Sequence, residues 1–212
     1  MRSKPFKTTL AIVFLVFVIS VIVNPKAPSK FYYDGVTEPL VIAHQGGDGV
    51  WPGGTMFAFE QAVAIGADVL EMDAHITKDG EIVLMHDETV DDTTDGSGLI
   101  EELTLAEIKQ LDAAYEWSID DGKTFPYRGQ GIQVPTLREL FEKFPNMRYL
   151  IEIKLTKNPI DKPLCELIRK YGMQKKVIIG SFHDQAMKNF RVTCPEVAIS
   201  GHVARNCAIA SS

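Results

Sequence analysis

From Val41 onward the chain alternates short apolar runs with stretches of helical spacing. Val41–Ala43 is apolar and ends at His44. In Val69–Ala74, Leu70, Met72 and Ala74 alternate with Glu71 and Asp73. Ile82–Met85 is apolar and ends in His86-Asp87. Apolar runs of this length bounded by turn residues predict buried strands. Between the first two, Thr55 is placed to cap a helix whose inner face carries Phe59, Ala62 and Val63, and Gly66 ends it. Further on, Thr104 with Glu107 and Thr136 with Glu139 are capping boxes, opening helices to about Leu111 and to Lys143. Tyr149–Lys154 reads as a fourth strand and Val177–Phe182 as a fifth, with Val197–Ser200 a candidate sixth. Helices are expected near Lys162–Tyr171 and Gln185–Arg191. Strands and helices in this alternation predict an α/β fold with a parallel sheet.

Two segments lack this rhythm. Residues 45–54, QGGDGVWPGG, form a glycine-rich loop able to approach a ligand closely. Residues 116–134 show no clear period and read as an excursion over the mouth of the sheet. In a parallel α/β fold the strand C-termini face one side, and functional groups gather there. His44, Glu71, Asp73, His86 and Glu152 would then share one mouth.

The extreme N-terminus follows a different pattern. Arg2, Lys4 and Lys7 precede an uncharged apolar run, Leu10–Val23. A basic flank (1–7) before an apolar segment (8–23) marks a signal peptide or a signal anchor. The following NPKAPSK offers no clear small-x-small cleavage site, which favours an uncleaved single-pass anchor. Residues 24–38 read as a tether, and 39–212 as the functional domain. The rest of the chain is then exported, on the periplasmic or extracellular side of the cell membrane, and is secreted if the segment is cleaved.

Over 212 residues the net charge is −6, with 45% hydrophobic and 24% charged residues, which excludes a disordered chain and a general nucleic-acid binder. Cys165, Cys194 and Cys207 lack metal-ligand spacing; in an exported chain two of them can pair.

The candidate chemistry lies in the acids and histidines. Glu71 and Asp73 share a strand face, and Glu152 from another strand completes an all-oxygen trio suited to Ca²⁺ or Mg²⁺ and not to zinc or copper. An E-x-D pair on a solvated strand edge is the ordinary alternative, but the apolar residues alternating with it require the acids to face something polar and enclosed. His44 and His86 are placed as a general base and acid on opposite sides of a reacting group. Lys154 supplies a fixed positive charge for an anionic substrate, or an ion-pair partner for Glu152. His75, read as pointing to the opposite strand face, is left outside the site.

Several motifs in order carry a resemblance: HQG at 44–46, PGGT at 52–55, EMD at 71–73, TKDGEIVLMHD at 77–87, TTDGSG at 93–98 and EIK at 152–154. Together they resemble the glycerophosphodiester phosphodiesterases, over about Val41 to Ser200. The resemblance implies a phosphatidylinositol-phosphodiesterase-like TIM barrel that hydrolyses glycerophosphodiesters from phospholipid deacylation. By the same resemblance Glu71, Asp73 and Glu152 hold one divalent cation, Ca²⁺ or Mg²⁺, His44 and His86 act as the acid–base pair, and Lys154 and Gln45 lie near the phosphate.

The chain departs from the family pattern at three places. Gln45 stands where the family has arginine, exchanging a charged fork for a neutral donor. Gly53 and Gly54 stand where it has glutamate and asparagine, which predicts weaker substrate positioning. Finally, residues 39–212 hold roughly six strands where a barrel has eight in about 250 residues, so an incomplete barrel with exposed edges is expected. The competing expectations are an impaired barrel that only binds a glycerophosphodiester or lipid head group, and a sphingomyelinase D-like phospholipase.

Overall fold

The computed structural model describes residues 30–154 and 156–200. The predicted anchor at 8–23 and Cys207 lie outside the described residues, as do the basic flank and the first part of the tether. Among the described residues no helix is long and apolar enough to cross a membrane.

Six strands form one sheet: β1 Ile42–Ala43, β2 Val69–Ile76, β3 Ile82–Leu84, β4 Arg148–Ile153, β5 Val177–Gly180 and β6 Ala198–Ile199. Five of them follow the order β1-β2-β4-β5-β6 with parallel pairing between neighbours, as the alternating pattern predicts, and β3 pairs with β2 off that path. The helices are α1 Met56–Ala64, α2 Leu105–Ile108, α3 Leu137–Lys143, α4 Asp161–Lys170 and α5 Asp184–Thr193. Both expected capping boxes are present, on α2 and α3, although α2 ends sooner than its spacing predicts. Among the described residues β1 and β6 end the parallel run of strands, while β3 pairs with β2 alone among the strands.

The third strand departs from expectation. β3 pairs antiparallel with β2, with Ala74 opposite Leu84 and Ile76 opposite Ile82. The reason is chain length. Residues 77–81 alone connect the two strands, whereas a parallel crossover needs a dozen residues or more. Thr77 closes the hairpin by accepting from the Glu81 N–H and donating to Asp79.

Strand periodicity divides the interior in two. On one face, Leu70, Met72, Ala74, Tyr149, Ile151, Ile153, Val177 and Ile179 join Phe59, Leu140, Phe141, Leu164, Ile168 and Phe190 of the helices in the main core. Tyr149 is fully buried there and donates its hydroxyl to the Phe144 carbonyl at 2.6 Å. On the other face, Leu150, Ile178 and Ala198 close over Tyr32, which the segment before β1 delivers beneath the sheet. Above that apolar plug the same face turns acidic.

Cys165 of α4 and Cys194, just past α5, form a disulfide with a Cα separation of 5.6 Å. The two helices also pack side by side, and Arg169 reaches Glu196. Closing a loop between residues 29 apart restricts the unfolded chain by about 3 to 4 kcal/mol. Reduction, or Cys165→Ala with Cys194→Ala, is therefore expected to lower the thermal midpoint by about 10 °C. A calorimetric scan with and without reductant checks this, and an unchanged midpoint would show that the helix pair holds without the bond.

Candidate functional site

The site begins with a backbone constraint. Gln45 has φ 48°, Gly46 φ 75° and Gly47 φ 105°, so three successive residues are left-handed. Gly46 admits no side chain, since a Cβ there would stand 2.9 Å from both the Phe59 ring and the Phe59 backbone nitrogen. Gln45 has no such exemption, and its conformation costs about 1 to 2 kcal/mol. Its bonds explain why the conformation holds. The Gln45 N–H donates to Glu71 Oε2 at 2.9 Å, and its side-chain amide donates to Asp73 Oδ2 at 3.1 Å.

Around this turn the predicted residues converge. His44 Nδ1 lies 2.7 Å from Glu71 Oε2, the oxygen that also accepts from Gln45. Asp73 stands in register with Glu152, a pairing of like charges that would destabilise the sheet. Lys154 offsets it, with Nζ 2.9 Å from Asp73 Oδ1 and 3.0 Å from Glu152 Oε1. Lys154 is thus an interior ion-pair partner of both acids. His86 follows β3 with its Nδ1 2.8 Å from Asp87 Oδ1. Both histidines are more than half exposed, whereas Glu71 and Asp73 are buried.

Contrary to expectation, His75 does not point to the opposite strand face. Positions 71, 73 and 75 share one parity, so His75 lies on the same side as the acids. It is buried, and its Nε2 reaches the His86 carbonyl at 3.3 Å, holding the backbone from which His86 projects. Burial pushes its pKa down to about 4, against the opposing effect of that hydrogen bond. A neutral ring donating Nε2–H to the carbonyl satisfies both.

Burial also raises the Glu71 pKa, with Asp73 adding to it and the Gln45 N–H and His44 opposing. It raises Asp73 as well, although the bond to Lys154 pulls the other way. Burial alone would lower Lys154, but its bonds to Asp73 and Glu152 hold it above the ordinary value. The mouth therefore concentrates negative charge that one lysine does not neutralise.

Beside His86 and Gln45 opens a cavity of about 300 Å³ between the glycine-rich loop and the 113–118 segment. Trp117 forms part of its wall and donates its indole N–H to the Asp48 carbonyl at 3.1 Å. The excursion expected over the mouth is thus present. Asp48 and Trp117 gave no signal in the sequence, since each sits in a stretch without periodicity.

A parallel sheet whose C-terminal mouth carries two histidines, three carboxylates and a lysine defines a class: an α/β fold with its ionisable groups gathered at the strand ends. Residues 44–205 match the Glycerophosphoryl diester phosphodiesterase family, and the chain belongs to it. It is 37% identical over 165 residues to a glycerophosphodiester phosphodiesterase of Caldanaerobacter subterraneus subsp. tengcongensis, a match covering 76% of this chain and 65% of that protein. It is 35% identical over 144 residues to a human lysophospholipase D, covering 66% of this chain and 44% of the relative. Among solved structures, the phosphodiesterase of Oleispira antarctica in complex with the product sn-glycerol-3-phosphate superposes with a TM-score of 0.63 at 30% identity. That match covers 76% of this chain and 64% of the other. The chain therefore spans less than two thirds of each of these relatives' own lengths.

The raised Glu71 pKa has a consequence for stability. A carboxyl whose folded pKa lies above its unfolded value costs stability once pH exceeds the unfolded value, and the cost is complete above the folded one. Glu71→Gln is expected to melt at or above the parent's temperature at pH 7 in EDTA, with the difference shrinking as pH falls toward 4. A midpoint well below the parent's at pH 7 would show that the Glu71 contacts with His44 and Gln45 outweigh its burial.

Proposed function

We propose that this domain hydrolyses glycerophosphodiesters to glycerol 3-phosphate and an alcohol, as part of phospholipid degradation. The observation that carries the reading is the single oxygen of Glu71 held by both His44 and Gln45, with Asp73, Glu152 and Lys154 alongside. A histidine whose Nδ1–H is committed to a buried carboxylate presents Nε2 outward as a base. His44 is such a residue, whereas His86 Nδ1 is 2.8 Å from a carboxylate that is not buried, Asp87. Glu71, Asp73 and Glu152 offer only oxygen donors, the set a hard divalent cation such as Ca²⁺ or Mg²⁺ prefers, and carry excess negative charge. Their ligand oxygens do not all lie within 4.8 Å of one another, with Lys154 between Asp73 and Glu152, so holding the ion would draw the acids together. When bound, that ion would neutralise charge on the phosphoryl oxygens.

In this reading Lys154 adds fixed positive charge near the phosphate, and Gln45 orients the acids while offering a neutral donor. His44 takes the proton of the attacking oxygen. As that oxygen bonds to phosphorus, the bond from phosphorus to the head-group oxygen breaks. His86, on the wall of the adjoining cavity, gives its proton to the departing alcohol. The disulfide supports placement of the domain on the exported side, because such bonds persist in oxidising compartments. With it goes the anchor proposed for residues 8–23, which would hold the site near its lipid-derived substrate.

The test is release of glycerol 3-phosphate from glycerophosphocholine by the full chain, with Mg²⁺ or Ca²⁺ and then with excess chelator. Activity should vanish in chelator and in Glu71→Gln. His44→Ala and His86→Ala should each lower kcat/KM by about 10²- to 10⁴-fold. Turnover indifferent to chelator and to both histidines would sink the mechanism. Turnover confined to lysophospholipids would move the chain toward the activity named for its human relative.

A further inference from the structure

The cavity beside His86 has a one-sided chemistry. Asp48, Asp92 and Glu116 line it together with Trp117, and no lysine or arginine is among its lining residues. Arg128 lies 3.6 Å from Glu116 and offsets that one charge in part. For Asp48 and Asp92 no side-chain ion pair is recorded among the described residues. A phosphate would be repelled here; in the hydrolytic reading its place is beside Lys154 and the cation that the acids would hold.

Two local features give this space its form. Trp117 is fixed at both ends: its N–H is bonded to the Asp48 carbonyl, and its ring meets Tyr127 edge-on at 5.2 Å. An indole held in this way is a rigid wall whose face attracts cations. The second feature is Gly53. A Cβ there would lie 2.5 Å from Asp48 Oδ1 and 2.8 Å from Asp48 Cβ. The missing side chain at Gly53 is the room in which the Asp48 carboxylate sits. Although Gly53 carries no carboxylate of its own, it makes room for that of Asp48 in the cavity wall.

We infer that this cavity is a head-group subsite selecting diesters whose alcohol carries a cationic amine, such as choline or ethanolamine, over neutral polyols. The inference rests on the hydrolytic reading above, because it is His86 at the cavity wall that sets the departing alcohol there. Trp117 takes the onium by its ring, and Asp48 with Asp92 supplies the opposite charge. Specificity then comes from the loop and the 113–118 segment, while the chemistry comes from the strand ends.

Two measurements on the full chain test it. In the first, choline and glycerol are titrated separately against unmodified protein by calorimetry, and by indole fluorescence in Trp51→Phe, which leaves Trp117 as the sole tryptophan of the two. Choline should bind saturably and quench Trp117, and glycerol should not. Asp48→Asn should weaken choline binding about tenfold. Gly53→Ala should do likewise without any change of charge, because its methyl group displaces the carboxylate.

The second measurement compares kcat/KM for glycerophosphocholine and glycerophosphoglycerol. A ratio of about ten in the parent, falling toward one in Asp48→Asn, is expected. No saturable choline binding, or a ratio near one that Asp48→Asn leaves in place, overturns the subsite. Choline binding that depends on Asp48, in a chain that hydrolyses neither diester, overturns the hydrolytic reading and leaves the cation site standing. Hydrolysis of both diesters at equal rates does the reverse.

Discussion

Placing two ionisable carboxylates on the enclosed face of β2 is the constraint on which the rest of the site depends. Every residue of β2 is buried, and its pleat sends Leu70, Met72 and Ala74 to the helices and Glu71 and Asp73 to the opposite side. A buried carboxylate is costly unless it is paired and hydrogen-bonded. Each neighbouring element makes its contribution there. β1 ends so that His44 and Gln45 reach Glu71, and β4 is followed by Lys154, which reaches Asp73 and Glu152. The left-handed turn at Gln45 directs its N–H and amide at the acids, and the glycine at 46 lets the same turn pack against Phe59.

Much of this was legible in sequence because the signals were periodic. Alternating polar and apolar positions in Val69–Ala74 gave both the strand and the face of its acids. The two capping boxes gave helix starts to the residue. What could not be read came from geometry that periodicity does not encode. The hairpin at 77–81 carried its own evidence, a turn too short for a crossover, yet the βαβ rhythm around it suggested another parallel strand. The His75 assignment failed on parity, the same rule that correctly paired Glu71 with Asp73. Asp48 and Trp117 were invisible for a different reason: their meeting spans residues 69 apart and rests on one indole bond.

The substitution of Gln45 for a family arginine also looks different in three dimensions. As a charge reaching for phosphate, arginine and glutamine differ by a full unit, and the loss should weaken binding. Gln45, however, is committed inward, to Glu71 by its backbone and to Asp73 by its amide. A guanidinium placed on the same turn would lie against two buried acids and compete with Lys154 for Asp73. A neutral amide adds no positive charge beside the acids, and so leaves them more negative than a guanidinium would. In the proposed mechanism the turn would exchange direct attraction for phosphate against a stronger hold on the cation, and the positive field at the phosphate would then depend on that cation and Lys154 together. In the same reading, recognition of the remainder of the substrate falls to the loop and the Trp117 wall, where the absence of a side chain at Gly53 makes room for the Asp48 carboxylate.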